Sequence, residues 1–234
     1  MLTRKFVCPL LLLAGGLTVQ PASAATILIT YTGTVSSGTD ETGVFGAAAT
    51  DLTGKAFTSV YTLNYPTSGA IDVSGTSVHE YYGGTAYASN SVSPLSAQIT
   101  INGVTKSLSG TFGGFHYLST LASPSGFAQI SDIVFGSDQN SVVSNYIDSK
   151  VSNITDSLNL ADALQYTVKS DKEGGGFVFS EDGNNAAIGF FKESSVTIES
   201  VGAVPEPATW ALLLIGFGMV GATLRIRRRE PALT

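Results

Sequence analysis

The side chains best suited to acid–base or metal chemistry are two histidines, His79 and His116, and sixteen carboxylates among residues 25–204. Neither histidine stands in a His-Glu-x-x-His pattern or beside a third ligand at metal-site spacing. His79 and Glu80 are adjacent, but neighbours on a strand point to opposite faces, which separates them. Asp138-Gln139-Asn140 and Asp182-Gly183-Asn184-Asn185 offer ligand-like oxygens. They lack the alternation and terminal glutamate of an EF-hand loop, and turn chemistry accounts for them. Nucleophile elbows and glycine-rich phosphate loops are missing from the sequence. The sole cysteine, Cys8, lies in an N-terminal apolar stretch, so the body of the chain has neither a thiol nucleophile nor a disulfide. These observations assign no catalytic residue, no metal and no cofactor. Two weaker patterns stay open. Tyr81, Tyr82 and Tyr87 cluster as aromatics that stack on sugar rings do. Sixteen acids also guarantee some close carboxylate pairs, the requirement of a glycoside hydrolase, although sequence cannot place such a pair in a cleft.

The elements that must position these residues are β-strands. Ile27, Ile29, Tyr31 and Val35 alternate with polar or small residues, as do Phe57, Tyr61, Leu63 and Tyr65. Ile99 and Ile101 alternate into Asn102-Gly103, a strong two-residue hairpin signal because both turn positions need φ > 0. Further strands are read at 112–118, 127–135, 177–179, 188–191 and 196–201. Helix signals are weak and confined to 142–151 and 157–165. The spacing of four glycines predicts a long irregular loop over 36–55. The expected fold is all-β: one antiparallel β-sandwich or jelly roll of about 9–12 strands in two packed sheets. This body holds six lysines, no arginine and sixteen acids, a net charge of −10. Such a balance repels nucleic acid and anionic lipid.

Both ends of the 234-residue chain have a different composition. Arg4 and Lys5 precede an uncharged apolar run over 6–19, followed by Ala22-Ser23-Ala24. This is the order of a secretory signal peptide over 1–24, cleaved between Ala24 and Ala25. At the other end, 210–224 is apolar and uncharged, and Arg225, Arg227, Arg228 and Arg229 follow. Fifteen helical residues span about 22 Å against a hydrocarbon core of about 30 Å. Trp210 at one interface and a snorkelling Arg225 at the other extend that reach. The arginines hold the C-terminal side in the cytoplasm and act as the membrane stop, which leaves the body outside.

Immediately before the apolar run stands Val204-Pro205-Glu206-Pro207-Ala208-Thr209-Trp210-Ala211. Pro-Glu-Pro, two residues, Trp-Ala, a short apolar helix and an arginine cluster together resemble the PEP-CTERM sorting signal in its PEPxxWA form. The resemblance covers 204–229, and residues 230–234 form a short cytoplasmic tail. It implies a Gram-negative, exopolysaccharide-producing bacterium and a partner, the membrane enzyme exosortase. By the same resemblance Pro205, Glu206, Pro207, Trp210 and Ala211 are the sorting motif, and 210–224 is a transient anchor. The physics agrees: two prolines fix φ and remove backbone donors, so the motif stays out of strands and helices and accessible to an enzyme.

The resulting expectation is an exported, non-enzymatic surface or extracellular-matrix protein associated with exopolysaccharide and biofilm, whose domain spans 25–203. A carbohydrate-binding, lectin-like module is the alternative, and a glycoside hydrolase comes third.

Overall fold

The structure is a computed structural model, and it describes residues 25–201 except 90, 109–111, 170 and 182. Among the described residues, thirteen antiparallel strands make one continuous sheet. The first five are β1 (Ala25–Asp40), β2 (Thr50–Asp51), β3 (Ala56–Tyr65), β4 (Ile71–Ser74) and β5 (Val78–Gly83). Then follow β6 (Leu95–Ile101), β7 (Val104–Leu108), β8 (Gly113–Ser119) and β9 (Ala128–Phe135). The last are β10 (Val142–Ser149), β11 (Leu164–Thr167), β12 (Lys172–Glu181) and β13 (Asn184–Val201). Their hydrogen-bonded order is β4-β5-β8-β9-β10-β12-β13-β1-β3-β6-β7, with β11 beside β13 and β2 beside β1.

The all-β, antiparallel expectation holds, but the two separate sheets become one sheet curled into a half-barrel. The physical reason is the length of β1 and β13. These two strands run side by side through the middle of the order and tie the halves together along fourteen paired positions. Alternation sends Ile27, Ile29, Tyr31, Tyr61, Leu63, Ile99, Ile130, Val134, Val143 and Ile147 into the curl, where they form one continuous core.

Two β-bulges adjust the alternation. In the first, Thr32 pairs with Ser195 and Gly33 with Glu193, so Ser194 has no opposite number. That extra residue lets Glu193 and Val196 both face inward. Gly33 is needed there because a Cβ would lie 2.1 Å from the Lys192 carbonyl oxygen. In the second, Ser36 is the extra residue and β1 continues to Asp40. The predicted loop over 36–55 is therefore shorter. It is replaced by a turn that the buried Asp40 carboxylate organises, accepting the amide N–H groups of Gly43, Val44 and Phe45 at 3.0, 2.7 and 2.7 Å. Phe45 is thereby delivered edge-on to Phe177 and Phe179.

Asn102 and Gly103, at φ 53° and 77°, close the β6–β7 hairpin as expected. The two weak helix signals are corrected. Residues 142–149 are β10, in which burial alternates with period two and Val143, Asn145, Ile147 and Ser149 face inward. Residues 157–163 form a single turn, closed by the Asp162 N–H on the Asn159 carbonyl oxygen at 3.1 Å, and lead into β11. In that segment Leu160 is buried and the Leu158 carbonyl oxygen lies 2.7 Å from His79 Nδ1, closing one end of the core. No helix long and apolar enough to cross a membrane occurs among the described residues. The signal peptide and the span expected at 210–224 lie outside them.

Candidate functional site

The inside of the curl holds a chain of polar groups that crosses between the halves of the sheet. His116 Nδ1 on β8 lies 2.6 Å from Asp132 Oδ1 on β9, and Tyr31 on β1 donates its hydroxyl to Asp132 Oδ2 at 2.7 Å. The Tyr31 ring meets Tyr61 of β3 edge to face at 5.8 Å. Tyr61 donates to Asn145 Oδ1 on β10 at 2.8 Å, and Asn145 Nδ2 donates to Glu193 Oε1 at 2.8 Å. Asn145 reaches β13 because the β12 residue opposite it is Gly175, which puts no side chain in the way.

Asp132 is fully buried and Glu193 is 3% exposed. Burial pushes the Glu193 carboxyl up from 4.5 to about 8, against the smaller lowering by its bond from Asn145. Both tyrosine hydroxyls are raised well above their ordinary value, first by burial and then by the nearby Asp132 carboxylate. Glu193 Oε2 and Ser59 Oγ are buried without a hydrogen-bond partner among the described residues. His116 and Asp132 form an acid–base pair, and both are buried, as are Tyr31, Tyr61, Asn145 and Glu193 around them. The evident work of the arrangement is to pin the two halves together through two tyrosine bridges, since each unmade bond would leave a buried polar group unpaired.

His79 is likewise committed to structure. Its Nε2 lies 2.8 Å from Asp72 Oδ1, and Tyr65 donates to Asp72 Oδ2 at 2.8 Å. Alternation puts His79 inside and Glu80 outside, as expected. Asp138 uses both carboxylate oxygens within its own loop, on the N–H groups of Asn140 and Ser141 and on the Ser141 hydroxyl. No group of three or more His, Cys, Asp or Glu residues is placed to hold a metal ion among the described residues.

The three tyrosines of the predicted cluster are split. Tyr81 faces into the curl at 2% exposure and accepts the Thr67 N–H. Tyr82 and Tyr87 lie outside, their rings 5.3 Å apart, with Phe115 5.7 and 6.1 Å away. The same alternation that separates His79 from Glu80 separates Tyr81 from Tyr82.

These outer rings belong to a larger surface that sequence reading missed. Register aligns Tyr82, Phe115, Ile133, Ser144, Gly176 and Phe190 in one row across six strands. A second row runs Glu80, Tyr117, Ser131, Tyr146 and Gly174. Where the rows cross β12 the glycines leave a trench. A groove of about 450 Å³ opens there, floored by Gly176 and Gly189 and walled by Tyr146 and Phe190. The Tyr146 ring lies over Gly174, where a Cβ would come within 2.8 Å of its hydroxyl. Phe190 is 60% exposed. The available signal was the run Gly174-Gly175-Gly176, which reads as a turn in one dimension and becomes a groove only when its neighbours are known.

The sorting residues Pro205, Glu206, Pro207, Trp210 and Ala211, the stop residues Arg225, Arg227, Arg228 and Arg229, and the expected cleavage residues Ala22 and Ala24 lie outside the described residues. Ala25 opens β1, and β13 ends at Val201. Thr26 pairs with Val201, so the two ends of the body emerge side by side. A family model described as the PEP-CTERM protein-sorting motif matches residues 203–229. No curated protein and no solved structure matches the chain.

Proposed function

From the PEP-CTERM protein-sorting motif that residues 203–229 carry, we propose that this chain is an exported, non-enzymatic surface or matrix protein. An exosortase-type membrane enzyme processes it near Pro205-Glu206-Pro207, and it serves an exopolysaccharide-bearing Gram-negative cell surface. The motif is the observation that carries this reading. The body supports it in two ways. Its paired termini put the start of β1 and the end of β13 at one place, so the exit from the signal peptide and the entry to the tether lie on the same, membrane-facing end of the body. Its −10 charge and sealed polar interior suit a soluble structural module more than a catalyst. The signal peptide over 1–24 takes the body across the membrane, the apolar 210–224 tethers it there, and the arginines behind hold it until release.

The test is replacement of Pro205, Glu206 and Pro207 by alanine in the native host. The expected product is a larger chain retained in the membrane fraction, read by intact mass and fractionation. Equal release of variant and wild type would reject the proposal.

A second reading, carbohydrate binding by the body, is favoured by the groove beside Tyr146 and Phe190 and by the outer rings of Tyr82, Tyr87 and Phe115. Aromatic faces exposed in shallow rows fit the apolar faces of sugar rings. Tyr81, buried inside, takes no part.

A further inference from the structure

We propose that the groove over the β12 glycines binds a polysaccharide strand that carries carboxylate groups, a uronic-acid polymer. This rests on the carbohydrate-binding reading and specifies its ligand class. Aromatic walls take the apolar face of any sugar ring. The choice between acidic and neutral sugars falls to the ionised side chains that frame those walls.

No ionised side chain lines the groove itself. Lys192 stands two residues beyond Phe190 on β13, exposed and on the same outer face. That puts it about 7 Å along the strand from the ring. Its neighbour across β1 is Thr34, so no acid answers it there. Lys172, also exposed, precedes the glycines on β12 and lies opposite Asp148. It is thereby a diagonal neighbour of Tyr146, about 7–8 Å away. Lys150, just beyond β10, holds its Nζ 4.7 Å from the Phe127 ring centroid. Alternation sends two carboxylates to this face, Glu80 and Asp148. Glu173, opposite Ile147, points inward. Asp138 is engaged within its own loop, Asp171 accepts the Tyr166 hydroxyl, and Glu181 lines a separate opening beside Lys106. Three of the body's six lysines but two of its sixteen carboxylates therefore lie here, and the −10 of residues 25–204 is carried by the other surfaces. The ion pairs among the described residues are those of His79 and His116, so no carboxylate there holds any of the three ammonium groups.

Each wall of the groove is thus a ring with an ammonium group about one sugar away. A uronic acid has the matching shape: an apolar ring face with a carboxylate at its edge. Its ring rests on Phe190 or Tyr146, and its carboxylate meets Lys192 or Lys172. Lysine is a compact point charge without the bidentate fork of arginine, so each contact is weak and salt-sensitive. Affinity then comes from repetition along a polymer.

The experiment is calorimetric titration of the full chain in mild detergent with four hexasaccharides: a uronic acid, its methyl ester, the neutral hexose and glucosamine. A thymidine oligonucleotide serves as a polyanion without sugar rings to stack. At about 0.15 M salt the uronate is expected to bind about fivefold more tightly than its ester or the neutral hexamer. At about 1 M salt, where the Debye length is about 3 Å, that gap should close while the neutral affinity stays. Phe190→Ala should weaken binding of every sugar, and at 60% exposure its removal leaves folding intact. Lys192→Gln and Lys172→Gln together should abolish the uronate preference and leave the neutral hexamer unchanged. Lys55→Gln, which makes the same charge change before β3, should leave the preference intact. Equal affinity for uronate and ester, tighter binding of glucosamine, or a preference that survives the double variant overturns the acidic-sugar proposal while leaving carbohydrate binding in place. An oligonucleotide that binds as tightly as the uronate overturns it too, by showing that charge alone is read. Failure of all four sugars to bind overturns both readings.

Discussion

The two outer faces of the curled sheet are built on the same backbone and carry opposite chemistry. Over β13, β1, β3, β6 and β7, one cross-strand row reads Ser195, Thr32, Thr58, Thr100 and Thr105. Its hydroxyls pair locally, Thr32 with Ser195 and Thr100 with Thr105, each at 2.8 Å. Threonine is a good strand former and a good solvent-facing residue, so this face is explained by the needs of the fold alone. Over β5, β8, β9, β10, β12 and the start of β13 the outward rows carry Tyr82, Phe115, Tyr117, Tyr146 and Phe190. The fold does not require rings there, because the core beneath is already complete on the inner side. A contiguous outer aromatic face is what an interaction surface presents. The difference shows that alternation decides which residues are inside, while the identity of the outside residues records what the surface meets.

The comparison predicts an order of effects. The largest belongs to the interior that both faces share. Asp132→Ala leaves the Tyr31 hydroxyl and the His116 ring without their acceptor inside the core. It should cost about 3–5 kcal/mol in urea unfolding. A loss no larger than that of a surface variant would mean the polar chain does not hold the halves together.

Next comes the pH dependence of Glu193. Its carboxyl titrates at about 8 in the folded protein and near 4.5 when unfolded. Between those values the folded state keeps a proton that the unfolded state has lost, so stability falls as pH rises from about 4.5 to about 8 and levels off above that. The fall should be on the order of a few kcal/mol. Thermal melting across this window should show it, and Glu193→Gln should flatten the curve. A wild-type slope in the variant would assign the dependence to another group.

The smallest effects separate the faces themselves. Phe115→Ala removes a ring packed on Tyr82, Tyr87 and Tyr117 and should cost about 1–2 kcal/mol. Thr58→Ala, at the centre of the hydroxyl row, should cost no more than about 0.5 kcal/mol. If the two variants melt together, the aromatic face has no packing role and its rings are free for a partner. If Phe115 costs much more, part of that face is a second, outer core.

Much of the strand content was legible in the sequence because period-two alternation is local. β1, β3, β6 and β13 show it plainly, and Asn102-Gly103 specifies its own turn. The misread segments had mixed signals. In 142–149 the apolar residues at 142, 143 and 147 also fit a helical spacing. In 36–40 the bulge at Ser36 breaks the period that identifies a strand. The candidate site was less legible than the fold. Tyr82 and Tyr87 were found as neighbours in sequence, whereas Tyr146 and Phe190 are forty-four positions apart and meet only across a hydrogen-bonded ladder.

The sequence alone carries the sorting motif at 203–229. A sorting signal is read as a linear order of prolines, apolar residues and arginines, and such an order needs no partner from elsewhere in the fold. It also determined the all-β class and most inward positions, since alternation is a property of each strand by itself. Tertiary structure decided whether there would be two sheets or one. It also decided that His116, Asp132, Tyr31, Tyr61, Asn145 and Glu193 would form one buried chain, and that three glycines would become a groove. Each of these depends on register between strands distant in sequence, and register is fixed only when the whole sheet pairs.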